Sequence, residues 1–377
     1  MTTLQRALVL CLLTLACREA EVPALAESSR SGAAEDAVAA APQLVRQAAV
    51  AGIWMSREEI QKLPTTGRAW QRLEQFASKK PPYPHLADQK TRTNVVVLAK
   101  ALVYARTGEE RYRDEVVSLT RNAMGTELGS TTLPLGRKLI SYVIAAELVS
   151  LPPEHDERFR KWLTGLMQTK FRGRTLRSTH EERPNNWGTH AGASRVAIAR
   201  YLGLDEEVAR CALVFRGWLG GREYYDDFKY GDLSWQADAS RPVGINPVGA
   251  TKMEHSIDGV LPDDQRRGGS FSWPPPHENY VYEALQGALA QAVMLQRAGY
   301  TDVWEWEDRA LLRAFRWLNE VARYHPQGDD TWQAPLIDAH YGTRYWDGSP
   351  TRPGKSLGWT DWTHTAEAAS APSRSAP

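Results

Sequence analysis

The segment NVVVLAKALVYA, residues 94–105, places Val95, Leu98, Leu102 and Ala105 on one stripe of a helix. Thr107 and Gly108 follow, and a glycine there can close a helix by entering the left-handed region without a Cβ clash. Outward from this segment, apolar residues recur at helical spacing from about 52 to 325, broken only by short Gly and Pro punctuation. The pattern predicts helices over 56–63, 68–78, 90–107, 109–123, 136–149, 156–169, 189–202, 205–219, 280–298 and 303–323. Helices of this length in antiparallel pairs form a bundle, a solenoid or a closed ring of hairpins. No period of the tetratricopeptide or armadillo kind recurs, which disfavours a regular solenoid.

The chain has 377 residues, 42% hydrophobic and 24% charged, the composition of a globular protein with one large core or two modest ones. A net charge of +1 argues against a broadly basic nucleic-acid surface but leaves room for local basic grooves that attract a polyanion. Charge alone names no partner; no nucleic acid is expected, and the protein is expected to be a monomer.

At the start, Arg6 precedes the apolar run ALVLCLLTLA (7–16), which has the length of a signal-peptide core rather than a membrane span. Export to the periplasm, outer membrane or medium is the expectation, with 1–17 as the signal. Cys17 could be the acylated cysteine of a lipoprotein, the one membrane link expected, or cleavage could be ordinary; both remain open. Residues 18–50, rich in Ala, Ser and Glu, read as a tether followed by an opening helix. The folded body is expected over 51–350, with 351–377 as a disordered tail.

A long section, 220–279, separates the two best helical blocks, and loops of that length are usually functional or built locally into short strands. It gathers Tyr224, Tyr225, Tyr230, Trp235, Trp273 and Tyr280 with Arg222, Lys252, Arg266 and Arg267. Aromatic faces beside cations suit sugar rings that carry carboxylates.

Nine histidines supply no HExxH and no closely spaced ligand trio, so no metal is expected. A GxSxG elbow and Gly-rich phosphate loops are missing as well. Asp226–Asp227 and Asp263–Asp264 are acidic pairs of the kind a glycoside hydrolase uses, though such pairs in loops are commonly solvated.

A different chemistry uses tyrosine. Beta-elimination at a uronate removes a weakly acidic proton next to a carboxylate, so that carboxylate must be neutralised and the developing anion stabilised. Asn and His can donate to it, and Tyr beside Arg can serve as base and then acid. RPNNWGTHAG (183–192) brings Asn185, Asn186 and His190 to the start of a predicted helix.

NNWGTH (185–190), DGVLPDDQRRGGSFSW (258–273) and HENYVYEALQGALAQAVMLQRAGYTDVWEWEDRALLRAFRWL (277–318) resemble the alginate-lyase-like polysaccharide lyases. The last two segments are most similar to the branch containing glucuronan and mannuronan lyases. The resemblance implies an all-α, incomplete (α/α) toroid of helical hairpins with long irregular active-site loops, no cofactor, and an anionic polysaccharide substrate. It implies that Asn186 clamps the substrate carboxylate, Tyr280 moves the proton, and Arg267, or its neighbour Arg266, stabilises charge.

One departure concerns the histidine. Alginate lyases commonly place it directly after the asparagine, where this chain has Trp187. His255 and His190 both remain candidates, with His255 preferred because related toroidal lyases carry it on a separate element. SWPPPHE lengthens the Arg-to-Tyr spacing, which keeps Tyr282 as a second candidate. Asn185, Trp187, Trp235, Trp273, Lys252 and Arg266 are expected to line substrate. Structural alternatives stand beside these roles: an N-cap for either asparagine, packing for Tyr280, a solvated charge for Arg267. Rival functions are an (α/α) glycoside hydrolase and a non-catalytic, lipid-anchored glycan-binding protein.

Overall fold

The predicted helical stripes divide into two kinds in the computed structural model, which describes residues 43–365. The signal, Cys17, most of the tether and residues 366–377 lie outside the described residues. In the first block, α1 (Arg57–Gln61) and α2 (Gly67–Ala77) precede α3 (Thr93–Thr107), α4 (Glu110–Ala123), α5 (Thr132–Val149) and α6 (Pro153–Gln168). Then come α7 (Leu176–Glu182), α8 (Asn186–Leu202) and α9 (Asp205–Leu219). Beyond the irregular section lie α10 (Pro262–Gln265), α11 (Tyr280–Arg297), α12 (Trp306–Arg316), α13 (Gln333–Tyr341) and α14 (Thr360–Thr363).

Helices α3, α5, α8 and α11 are buried on nearly every face, whereas α2, α4 and α6 bury a single stripe. A helix apolar all round must sit inside, and an amphipathic one covers it. The inner helices accordingly pack in the order α3, α5, α8, α11, with α4 behind α3 and α5, and α9 behind α8. This is an all-α toroid of helical hairpins.

Two glycines set how closely the inner helices approach. A Cβ on Gly136 of α5 would lie 2.8 Å from the Ala191 nitrogen, and one on Gly287 of α11 would lie 2.4 Å from the Thr189 carbonyl carbon. Both press on the α8 backbone that carries His190. Gly287→Ala is therefore expected to cost about 1–3 kcal/mol through overpacking. Chemical denaturation would check it, and an unchanged midpoint would contradict this packing.

The expected tail is corrected over 351–365, where Thr351, Ser356, Leu357, Trp359 and Trp362 are buried. Asn94 Nδ2 donates to the Lys355 carbonyl at 2.9 Å, and the Lys355 nitrogen donates to Gln286 Oε1 at 2.8 Å. Ser141 Oγ donates to the Ser356 carbonyl. These bonds tie the segment to α3, α5 and α11, while the Trp362 ring lies tilted against Trp70 of α2, centroids 5.3 Å apart, and its indole nitrogen donates to the Pro64 carbonyl. Gly, Pro and Ser give this stretch no periodicity, and its tryptophans are what bury it. The opening helix expected before residue 51 is not found over the described residues 43–50, which run without helix and bond the end of α11 through Gln47–Gly299 and Val50–Arg297.

Within the irregular section, β1 (Thr251–Lys252) and β2 (His255–Ser256) form a short antiparallel hairpin, with Lys252 opposite His255. The section continues through α10 into a 3-10 turn over Arg266–Gly268.

Candidate active site

The asparagine pair begins α8 three residues earlier than predicted. Asn185 is the N-cap: its Oδ1 accepts from the Trp187 nitrogen at 3.2 Å, and its Nδ2 donates to Asp263 Oδ2 at 2.9 Å. Each end of the amide thus holds the helix start, one bond to the α8 backbone and one to the loop carboxylate. Asn186 is the first helical residue and only 1% exposed; its backbone nitrogen donates to Asp264 Oδ1 at 3.0 Å, yet its Nδ2 is buried with no acceptor. An orphaned buried donor costs free energy unless something fills it.

His190 lies one turn further along the same face of α8, fully buried, with neither ring nitrogen hydrogen-bonded. Its Nε2 is 3.7 Å from Glu283 Oε2, beyond hydrogen-bond reach. Burial lowers the imidazole pKa and Glu283 only partly opposes this, which favours the neutral ring.

Tyr280 is the first residue of α11 and 38% exposed. The Arg267 guanidinium lies 4.6 Å over its ring. Glu283 follows one turn later and receives Arg137 of α5, with Lys355 at 3.5 Å. Burial alone would raise this carboxyl, but His190, Arg137 and Lys355 outweigh it and hold the group at about 2.

The contacts close a circuit. Asn186 leads to His190 along α8, His190 to Glu283, Glu283 to Tyr280 along α11, and Tyr280 to Arg267. Arg267 lies three residues beyond Asp264, which returns to the Asn186 backbone. Both helices begin here, so their positive ends favour an anion at this mouth. An exposed phenol, a guanidinium over its ring and unpartnered buried polar groups on the same two helices are the chemical equipment for holding a carboxylate and moving a proton beside it.

The Asp263–Asp264 pair is not solvated and is not free for hydrolysis. Asp263 accepts from Asn185, the Gly231 nitrogen and Arg266, and Asp264 is buried, its carboxyl pushed well above the usual range by burial. The pair clasps the loop to the N-terminus of α8.

Three expectations are corrected. Trp235 is 0% exposed and donates to the Gly269 carbonyl, so it packs in the core instead of lining a subsite. Tyr282 is buried, and its hydroxyl donates to the Tyr324 carbonyl at 2.6 Å, which leaves it no proton-transfer role. Arg266 is committed to Asp263 at 2.8 Å.

His255 stacks on Trp273 at 4.2 Å with the rings nearly parallel, and Lys252 donates to the Gln236 carbonyl. Trp187 carries the Arg183 guanidinium over its ring at 4.8 Å. Sequence reasoning missed Glu283, Arg137 and Lys355. Their one local signal was a glutamate in the first turn of an otherwise apolar helix.

The alginate lyase family model matches residues 27–223, just over half of the chain. The match carries Asn186 and His190 and ends before Arg267 and Tyr280. No curated protein gives a significant match. With the toroid of helical hairpins and the asparagine wall inside the matched region, the chain belongs to the alginate lyase family of polysaccharide lyases.

Proposed function

We propose that this lyase cleaves a uronate-containing polymer, mannuronan or glucuronan, by beta-elimination, leaving a 4,5-unsaturated uronate at the new non-reducing end. The observation that carries the reading is the circuit joining Asn186, His190, Glu283, Tyr280 and Arg267. Asn186 Nδ2 donates to the substrate carboxylate. Tyr280 Oη removes the proton next to that carboxylate and returns a proton to the leaving glycosidic oxygen, and Arg267 stabilises the charge.

What favours His190 over His255 is its place one turn from Asn186 and beside Glu283, whereas the His255 ring is stacked on Trp273. In this reading His190 adds a second buried donor, and His255 with Trp273 offers a flat face to a sugar ring. Exported, lipid-anchored or secreted placement fits a polymer substrate and belongs to the same proposal.

The test is the product. Incubation with alginate blocks, glucuronan and glycosaminoglycans is expected to raise ultraviolet absorbance as the conjugated uronate forms. Chain shortening without new absorbance would identify a hydrolase instead, and unchanged polymer length a binding protein.

A further inference from the structure

We infer that a second cleft, formed by α2, the residues leading into α3 and the returning segment 351–361, is a subsite for carboxylate-bearing sugars of the same polymer; this rests on the uronate-polymer reading. The cleft has a volume of about 530 Å³ and is lined by Arg72, Lys79, Arg92 and Arg352 with Phe76 and Trp359. That volume falls in the range of small-ligand sites.

The charges in it are unevenly matched. Its two acidic residues are already engaged: Asp329 with Arg92 at 3.2 Å and Lys355 at 2.6 Å, and Asp361 with the Thr351 nitrogen and hydroxyl at 2.9 and 2.8 Å. Arg72, Lys79 and Arg352 have no carboxylate partner among the described residues. Arg72 makes one 3.3 Å bond to the Pro350 carbonyl, and Lys79 lies 4.0 Å over the Phe76 ring. Arg92 spends its two Nη atoms on Asp329 and on the Pro353 and Gly354 carbonyls, while its Nε is buried without a partner. A guanidinium fork with free donors is matched by a planar carboxylate, and the aromatic edges beside it give a sugar ring an apolar surface.

The position is as informative as the charge. Lys355 bridges the two sites, with Nζ 2.6 Å from Asp329 Oδ2 in this cleft and 3.5 Å from Glu283 Oε1 in the catalytic cluster. A polymer seated at Tyr280 can therefore run on past Lys355 into the basic cleft. Arg72, Lys79 and Arg352 are exposed, and polyanion attraction there adds affinity in proportion to the number of carboxylates engaged. Long oligomers gain from it and short ones do not.

The test measures binding by titration calorimetry, on a Tyr280→Phe background so that turnover is suppressed. The probes are mannuronate and glucuronate hexamers, the corresponding dimers, and a neutral cellohexaose control. Arg72→Glu with Arg352→Glu is expected to raise the hexamer Kd at least about tenfold while leaving the dimer Kd within about twofold. Both residues are exposed, so the fold should persist, and a thermal melt checks this; Arg72→Gln with Arg352→Gln serves if the reversal disturbs it. Equal losses for hexamer and dimer, an unchanged hexamer Kd, or no hexamer binding by the parent would each overturn the subsite. A parent that binds hexamers through these arginines but never produces unsaturated uronate in its wild-type form would keep the cleft and reject the lyase mechanism.

Discussion

Tyr280→Phe is expected to lower kcat by about 10²–10⁴-fold, the contribution of a positioned acid–base group, with polymer binding largely kept. The phenol is exposed, and its hydroxyl makes no hydrogen bond among the described residues. Removing it should leave the fold within about 0.5 kcal/mol of wild type. The ring keeps its contact with the Arg267 guanidinium. Steady-state rates of unsaturated-product formation, measured beside calorimetric binding, would check the result, and near-wild-type kcat would remove Tyr280 from the chemistry.

Glu283→Gln is expected to destabilise the protein by about 3 kcal/mol at pH 7, because it leaves Arg137 without its buried carboxylate. The linkage argument agrees. A carboxyl held at about 2 in the fold against an ordinary 4.5 is tied to about 3 kcal/mol of stability. Since the folded value lies below the unfolded one, that stability is complete above pH 4.5 and is lost as the pH falls toward 2. The gap between wild type and Glu283→Gln should therefore be widest at neutral pH and close on acidification. Denaturant titrations at pH 7 and at about pH 3 would show this. A gap that stays constant with pH would mean the carboxylate is not what holds Arg137 and His190 in place.

These two variants probe different parts of one site. Tyr280 faces solvent at the mouth, while Glu283 sits one turn deeper with its cations around it. Loss of activity without loss of stability is expected of the first. Loss of both is expected of the second, since His190 and Arg137 rest on the same carboxylate.

The helices were readable because burial writes itself into periodicity. Segments such as 94–105 and 280–298 are apolar enough to stand inside the ring, and each predicted range overlaps an observed helix. Boundaries shifted where capping decided them, as at Asn185, whose side chain starts α8 three residues early. Short helices such as α7 and α13 have too few turns to show a period. Segment 351–365 departs from the expected tail in the same way: its one regular element, α14, is too short to show a period, and its burial rests on Trp359 and Trp362.

By itself the sequence determined the helical class, the inner stripes, and the presence of Asn186, Arg267 and Tyr280 in an order that resembles a lyase. Those features depend on local spacing or on short motifs. Only the tertiary structure decided which of the polar residues meet. Glu283 finds Arg137 across 146 positions and Lys355 across 72, distances over which no local pattern carries information. It also separated Trp235 and Tyr282, which burial assigns to the core, from Tyr280, which the first turn of α11 leaves at the mouth. An aromatic side chain reads the same in either place until its neighbours are packed around it.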